Sequence, residues 1–121
     1  SIEINPNSFH YLKENIKLNK INNITPLLGD CMDITPEYSA DRIIMGYVKT
    51  THHYLKVAID SLNKGGVIHY HETVPEKLMD TRPINRIKEV AGDRSVEFLK
   101  LNKVKKYSPG VFHVVCDARI N

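Results

Sequence analysis

Phe9, Leu12 and Ile16 recur at i, i+3 and i+7 with Lys13, Lys17 and Lys20 off the stripe, which is the pattern of an amphipathic helix. Asn5-Pro6 marks its start: the Asn side chain can accept an N–H of the first turn, and Pro is tolerated at the first helical position. Asn22-Asn23 is the expected stop. A short apolar-acidic strand, Ser1-Ile2-Glu3-Ile4, precedes this helix. Residues 24–28 form a second apolar run that ends at Gly29-Asp30, and residues 42–45 a third that ends at Gly46. Short apolar runs of this kind predict strands buried on both faces, as in parallel sheets. Between Thr50 and Leu62, the positions Leu55, Ala58, Ile59 and Leu62 make another helix face. Lys64-Gly65-Gly66 closes that helix and releases the chain into a strand at residues 67–71.

Strand, helix, strand, strand, helix, strand, with connections too long for hairpins, reads as βαβ units on a mostly parallel sheet. The pattern changes after Pro75. Ile84, Ile87 and Ala91 mark a third helix, and residues 96–106 and 111–120 are two long β-prone runs joined by Tyr107-Ser108-Pro109-Gly110. Such a connection predicts a closing antiparallel hairpin. No internal repeat or linker divides the chain.

Composition narrows the class. Of 121 residues, 41% are hydrophobic and 26% charged, the range of one small globular domain. The sequence has no run of about 18 apolar residues and no basic-then-apolar leader, so the expectation is a cytoplasmic protein without a membrane span. Cys31 and Cys116 lack zinc or redox spacing and are read as reduced thiols. The net charge of +3 is uneven: residues 81–121 carry nine Lys/Arg against four acids, a balance of +5, leaving residues 1–80 at −2. That fits either a polyanionic partner or a solvated surface.

Candidate chemistry gathers at strand ends, where sheets of this kind bind ligands. Glu3 ends the first strand, where a carboxylate can take both ribose hydroxyls of a nucleoside or cap the helix that follows. Asp30 ends the second, where it can take an exocyclic amine while the backbone at Cys31 meets an adenine ring nitrogen. Met45-Gly46-Tyr47 ends the third: Gly46 permits close approach of a substrate, and Tyr47 offers a ring for stacking or is a rim aromatic in a turn. In His69-Tyr70-His71-Glu72, alternation places the two histidines on one face and Tyr70 and Glu72 on the other. His71 or Glu72 is then a candidate substrate contact or proton acceptor, or a satisfied structural polar group. A metal site is not expected, since no third ligand accompanies the two histidines. There is no G-x-G-x-x-G or G-x-x-x-x-G-K phosphate loop, so a complete dinucleotide or P-loop site is excluded within these residues.

Several segments together resemble one group of enzymes. They are Glu3-Ile4-Asn5-Pro6, Glu14-Asn15-Ile16-Lys17-Leu18-Asn19-Lys20, Ala40-Asp41-Arg42-Ile43-Ile44-Met45-Gly46-Tyr47, the run from His69 through Glu72 to Leu78, and Tyr107 through Gly110 to Val115. The chain is similar to the later part of class I S-adenosylmethionine-dependent transferases that modify tRNA beside the anticodon. This group contains guanosine N1-methyltransferases and wyosine-pathway aminocarboxypropyltransferases. The resemblance implies an α/β, Rossmann-like fold with a C-terminal antiparallel hairpin, in which residues 1–121 are the C-terminal portion of the catalytic domain and the Gly-rich loop is missing. It implies S-adenosyl-L-methionine as co-substrate without a metal, bound through Glu3, Asp30 and Cys31, and tRNA as partner. Lys103, Lys105 and Lys106 are the RNA-contact candidates, with Gly46, Tyr47, His71 and Glu72 facing the substrate. Met45-Gly46-Tyr47 stands where the methyltransferases carry Asn-Leu-Pro or Asn-Pro-Pro, a departure that resembles the archaeal aminocarboxypropyltransferases. The implied reaction is transfer of the 3-amino-3-carboxypropyl group to a wyosine-type guanosine. The alternatives are N1-methylation of guanosine, or a non-catalytic RNA-binding fragment; residues 1–121 alone are expected to be inactive.

Overall fold

Asn5 accepts the backbone N–H groups of Asn7 and Ser8 at 2.9 and 3.3 Å, and Pro6 opens helix α1, Pro6–Leu18. The computed structural model describes residues 1–121, in two compact units, Ser1–Thr35 and Pro36–Asn121. The division at Thr35-Pro36 carries no Gly- or Ser-rich linker. Helix α1 ends earlier than Asn22-Asn23 predicts. Asn19 caps it, its backbone and side-chain amides both returning to the Asn15 carbonyl, and Lys20 turns the chain at φ +52°. Strands β1 (Ile2–Glu3) and β2 (Leu27–Leu28) pair in parallel, Glu3 opposite Leu28, and a single helical turn, α2 (Cys31–Ile34), follows. Only the last two residues of the expected strand 24–28 pair. Leu27 and Leu28 stay 41% and 50% exposed, so β2 is not buried on both faces. A unit this short has too little chain to cover its own sheet twice.

The second unit carries β3 (Ala40–Met45), a 3-10 turn at Thr51–Tyr54, α3 (Leu55–Ser61), β4 (Leu62–Pro75), α4 (Arg82–Ala91), β5 (Val96–Ser108) and β6 (Val111–Ile120). Its sheet order is β3-β4-β6-β5, with β3 parallel to β4 and both remaining ladders antiparallel. The hairpin turns at Pro109-Gly110 as expected, with Gly110 at φ +72°. Its second strand inserts beside β4, which makes this sheet mixed where the alternation of elements had pointed to mostly parallel pairing. Composition explains the order. β6 offers Val114, Cys116, Ala118 and Ile120 to the interior, whereas β5, rich in lysine and interrupted by register shifts, suits an edge. β3 takes the other edge, and Ile44 is 73% exposed there, so the both-faces-buried expectation fails for β3 too.

The core lies on one sheet face. Ile68 and Tyr70 of β4 and Cys116, Ala118 and Ile120 of β6 pack with Leu55, Ala58 and Ile59 of α3 and Ile87 and Ala91 of α4. The helix expected from Thr50 is a 3-10 turn followed by α3, and Leu62 is already extended. Arg94 secures that ending. Its guanidinium donates to the carbonyls of Ile59 (2.7 Å), Leu62 (3.1 Å), Asn63 (3.4 Å) and Asn121 (3.2 Å), tying the end of α3 to the start of β4 and the end of β6. No helix is long and apolar enough to cross a membrane.

Candidate functional site

Parallel pairing of β1 and β2 sends both strands toward the same end, where Glu3 and Asp30 stand. Glu3 is half-buried; its Oε1 accepts the Asn5 N–H at 2.9 Å, and its backbone carbonyl accepts the Gly29 N–H. Asp30 caps α2, its Oδ1 accepting the Met32 N–H at 2.9 Å. Each carboxylate therefore spends one oxygen on local backbone, and the second takes no protein hydrogen bond. Gly29 allows this turn: a Cβ there would fall 2.9 Å from Ile34 Cδ1. The Cys31 thiol is half-buried and pushed up from its ordinary pKa by burial and by neighbouring Asp30, which makes it a poor nucleophile. Both readings of the carboxylates, cap and ligand acceptor, are therefore compatible, one oxygen each.

In the second unit, β3 delivers Met45 to the core and leaves Gly46 and Tyr47 outside it. A Cβ at Gly46 would meet nothing within 4 Å, and Tyr47 is 68% exposed. The loop is nevertheless anchored. The Thr51 hydroxyl donates to the Tyr47 carbonyl, and Thr73 donates to the Val48 carbonyl through its N–H (3.1 Å) and its hydroxyl (3.3 Å).

The alternation read along β4 holds. Tyr70 and Glu72 turn inward, and the Tyr70 hydroxyl donates to Glu72 Oε1 at 2.8 Å. Burial and that carboxylate raise the Tyr70 pKa well above its ordinary value. Glu72 is 2% exposed, and Arg82 Nε (3.2 Å) and Arg86 also donate to it. This corrects the reading of Glu72 as substrate-facing: a carboxylate sealed by a phenol and two guanidiniums has no access to a ligand. Arg82 and Arg86 were missed in the sequence. The signal was present in their i, i+4 spacing on the helix that follows an acid alternating with core residues.

His69 and His71 occupy the opposite face. His69 Nδ1 lies 2.6 Å from Asp117 Oδ1, and its Nε2 is 2.7 Å from Arg42 Nη1. Arg can only donate, so Nε2 accepts and Nδ1 carries the proton toward Asp117. His71 Nδ1 and His113 Nε2 are 3.0 Å apart, and burial lowers both pKa values, the neighbouring His113 adding to the effect on His71. No group of three or more His, Cys, Asp or Glu is placed to hold a metal. Among the lysine candidates, register separates Lys105, opposite His113, from Lys103 and Lys106, opposite Val114 and Phe112. Lys103 Nζ lies 4.2 Å from the Phe112 ring centroid.

Residues 1–99 match the family described as the TRM5/TYW2 methyltransferase domain. The chain belongs to this family. The tRNA(Phe) (4-demethylwyosine(37)-C(7)) aminocarboxypropyltransferase of Methanocaldococcus jannaschii is 52% identical over 98% of this chain and 49% of its own length. The tRNA (guanine(37)-N(1))-methyltransferase Trm5b of Pyrococcus abyssi is 42% identical over 98% of this chain and 36% of its own. The crystal structure of M. jannaschii TYW2 in complex with AdoMet superposes with a TM-score of 0.93 at 51% identity, covering 99% of this chain and 56% of that one. This chain thus spans about half the length, or less, of the relatives it matches. Its fold is the Rossmann-like one of S-adenosylmethionine-dependent methyltransferases.

Proposed function

We propose that the chain is the C-terminal portion of the catalytic domain of a transferase that moves the 3-amino-3-carboxypropyl group of S-adenosylmethionine onto a wyosine-type guanosine beside a tRNA anticodon. The observation that carries this reading is the 52% identity to an aminocarboxypropyltransferase across 98% of the chain. By resemblance, Met45-Gly46-Tyr47 stands where the methyltransferases of the group carry Asn-Leu-Pro or Asn-Pro-Pro. Residue chemistry supports the co-substrate: the free oxygen of Glu3 suits a ribose hydroxyl, that of Asp30 suits the adenine amine, and the Cys31 backbone is placed beside it.

S-adenosylmethionine supplies a sulfonium whose attached carbons are open to displacement. A ring carbon of the tricyclic base attacks the γ-methylene, the C–S bond breaks toward sulfur, methylthioadenosine leaves, and the ring carbon loses its proton. The protein's share is orientation, since the leaving group is already activated. In this reading the open backbone at Gly46 and the Tyr47 ring select the γ-methylene over the methyl carbon. Lys103, backed by Phe112, and Lys106 contact the tRNA backbone, with Lys105 contributing from the other sheet face.

The test uses the complete natural protein, tRNA carrying the tricyclic base or unmodified guanosine, and co-substrate labelled on the methyl or the carboxyl carbon. Carboxyl label entering the tricyclic tRNA is the expected result, and Gly46→Asn with Tyr47→Pro shifts label toward methyl. Methyl label entering guanosine, or no transfer, refutes the reading.

A further inference from the structure

β3 ends at Met45, opposite Tyr70, but β4 runs on to Pro75, so the edge of β4 that faced β3 loses its strand partner. Backbone groups on such an edge need other partners. At Thr73 they are found: its N–H reaches the Val48 carbonyl at 3.1 Å, and its carbonyl accepts Arg82 Nη2 at 2.7 Å. Arg82 is itself fixed, because its Nε binds Glu72 Oε2, and Glu72 is held in turn by Tyr70 and Arg86. The chain of contacts thus runs from the buried carboxylate through Arg82 and Thr73 to the loop after β3. At the loop's other end, Thr51, 2% exposed, binds the Tyr47 carbonyl. Between these anchors Tyr47 stands 68% exposed. An anchored backbone that presents an aromatic ring to no partner in its own unit fits a group built to meet a ligand.

We infer that Arg82 is a positioning residue for group transfer, holding the loop of residues 46–50 through Thr73 and Glu72 so that Gly46 and Tyr47 meet the reacting part of the co-substrate. The ligand side of this role rests on the transferase reading above; the clamp itself does not. The arrangement also predicts what Arg82 does not do. Both bonded nitrogens are engaged within the protein, and its side chain is only 29% exposed, so it is not a primary contact for RNA phosphate.

The experiment compares Arg82→Met, Arg82→Lys and Thr73→Val with wild type in the complete natural protein. It reads hydrogen exchange at the Thr73 amide, which donates to the Val48 carbonyl, and in β6, dissociation constants for S-adenosylmethionine and tRNA, and the single-turnover rate with carboxyl-labelled co-substrate. In Arg82→Met, exchange at the Thr73 amide is expected to rise about tenfold while β6 keeps its protection, as for local opening. The single-turnover rate is expected to fall roughly ten- to a hundredfold, the cost of a misplaced reacting group, with both dissociation constants within about twofold. Arg82→Lys recovers part of the rate, because an ammonium can still donate to the Thr73 carbonyl, and Thr73→Val gives a smaller loss. Unchanged exchange at the Thr73 amide overturns the clamp whether or not transfer occurs. A wild-type rate in Arg82→Met, or a rate loss matched by an equal loss of tRNA affinity, overturns the positioning role. Absence of transfer by the wild-type protein overturns the functional reading instead, and leaves the exchange result to decide the clamp.

Discussion

Replacing Arg94 by alanine removes a single guanidinium that joins three elements, and the expected cost follows from its contacts. Four carbonyls lose a donor: those of Ile59 and Leu62 at 2.7 and 3.1 Å, and those of Asn63 and Asn121 at 3.4 and 3.2 Å. Hydrogen bonds to a charged group contribute about 1.5–3 kcal/mol each when well formed, but water replaces part of this at a half-exposed site. Counting about 1 kcal/mol for each of the two shorter bonds, and about 0.5 kcal/mol for a cation at the last turn of α3, gives roughly 2–3 kcal/mol. A unit of this size loses about 4–8 °C in Tm per kcal/mol, so Arg94→Ala is expected to melt roughly 10–20 °C lower. Thermal unfolding followed by circular dichroism, with urea midpoints at unchanged m-value, measures this. Arg94→Lys should recover at most one of the contacts, because an ammonium lacks the planar fork that reaches several carbonyls. A Tm for Arg94→Ala within about 3 °C of wild type refutes the reasoning, because a loss that small is below 1 kcal/mol.

Gly66→Ala should also destabilise, by about 1–3 kcal/mol in urea unfolding, because a Cβ would sit 2.9 Å from the Asn63 carbonyl oxygen and 3.2 Å from that of Asp41. Wild-type stability there would mean that the β4 entry shifts freely. Stability should depend on pH through His71 and His113, whose folded pKa values lie below the ordinary 6.5 because burial disfavours the charged ring. The unfolded chain then binds more protons below that value, so their contribution is complete above about pH 6.5 and shrinks as the pH falls toward the folded pKa values. His69 and Asp117 face His71, and Lys105 faces His113; Asp117 opposes the shift at His71, and the other two reinforce it at their respective partners. Urea midpoints between pH 7.5 and 5 should fall more for wild type than for His71→Asn with His113→Asn, and equal slopes would count against this assignment.

Periodicity made the helices and the hairpin legible, because an amphipathic stripe and a Pro-Gly turn are local properties. Asn5 could be recognised as a cap from its own chemistry and that of Pro6. What local pattern does not contain is which strand lies inside. Residues 24–28 and 42–45 look like central strands by composition, yet both keep exposed apolar side chains within their units, and β6 takes the interior place that sequence order alone would give to β5. The same limit applied to the site. Glu3, Asp30 and Tyr47 could be singled out as candidates because they follow apolar runs. The spacing of Arg82 and Arg86 gives their shared helix face but not their common partner 10 and 14 positions back, and nothing local ties Asp117 to His69, 48 positions away.

Glu72 shows why the distinction between a polar group that faces a ligand and one that supports it matters. A carboxylate at 2% exposure pays a desolvation cost of several kcal/mol that its ion pairs only partly recover, and an apolar side chain of similar volume is often neutral or stabilising at such a position. Stability alone is therefore a weak reason for an acid here. What the acid provides instead is direction. It accepts from Tyr70, Arg82 and Arg86 at once, and Arg82 spends its second contact on the Thr73 carbonyl, at the point where β4 has lost its neighbouring strand. An apolar residue would fill the volume but leave Arg82 free to leave Thr73 for solvent. The buried charge is then best understood as the fixed end of the clamp, and the exposed polar chemistry of β4 falls to His71, whose lowered pKa keeps a neutral ring available as a hydrogen-bond acceptor near neutral pH.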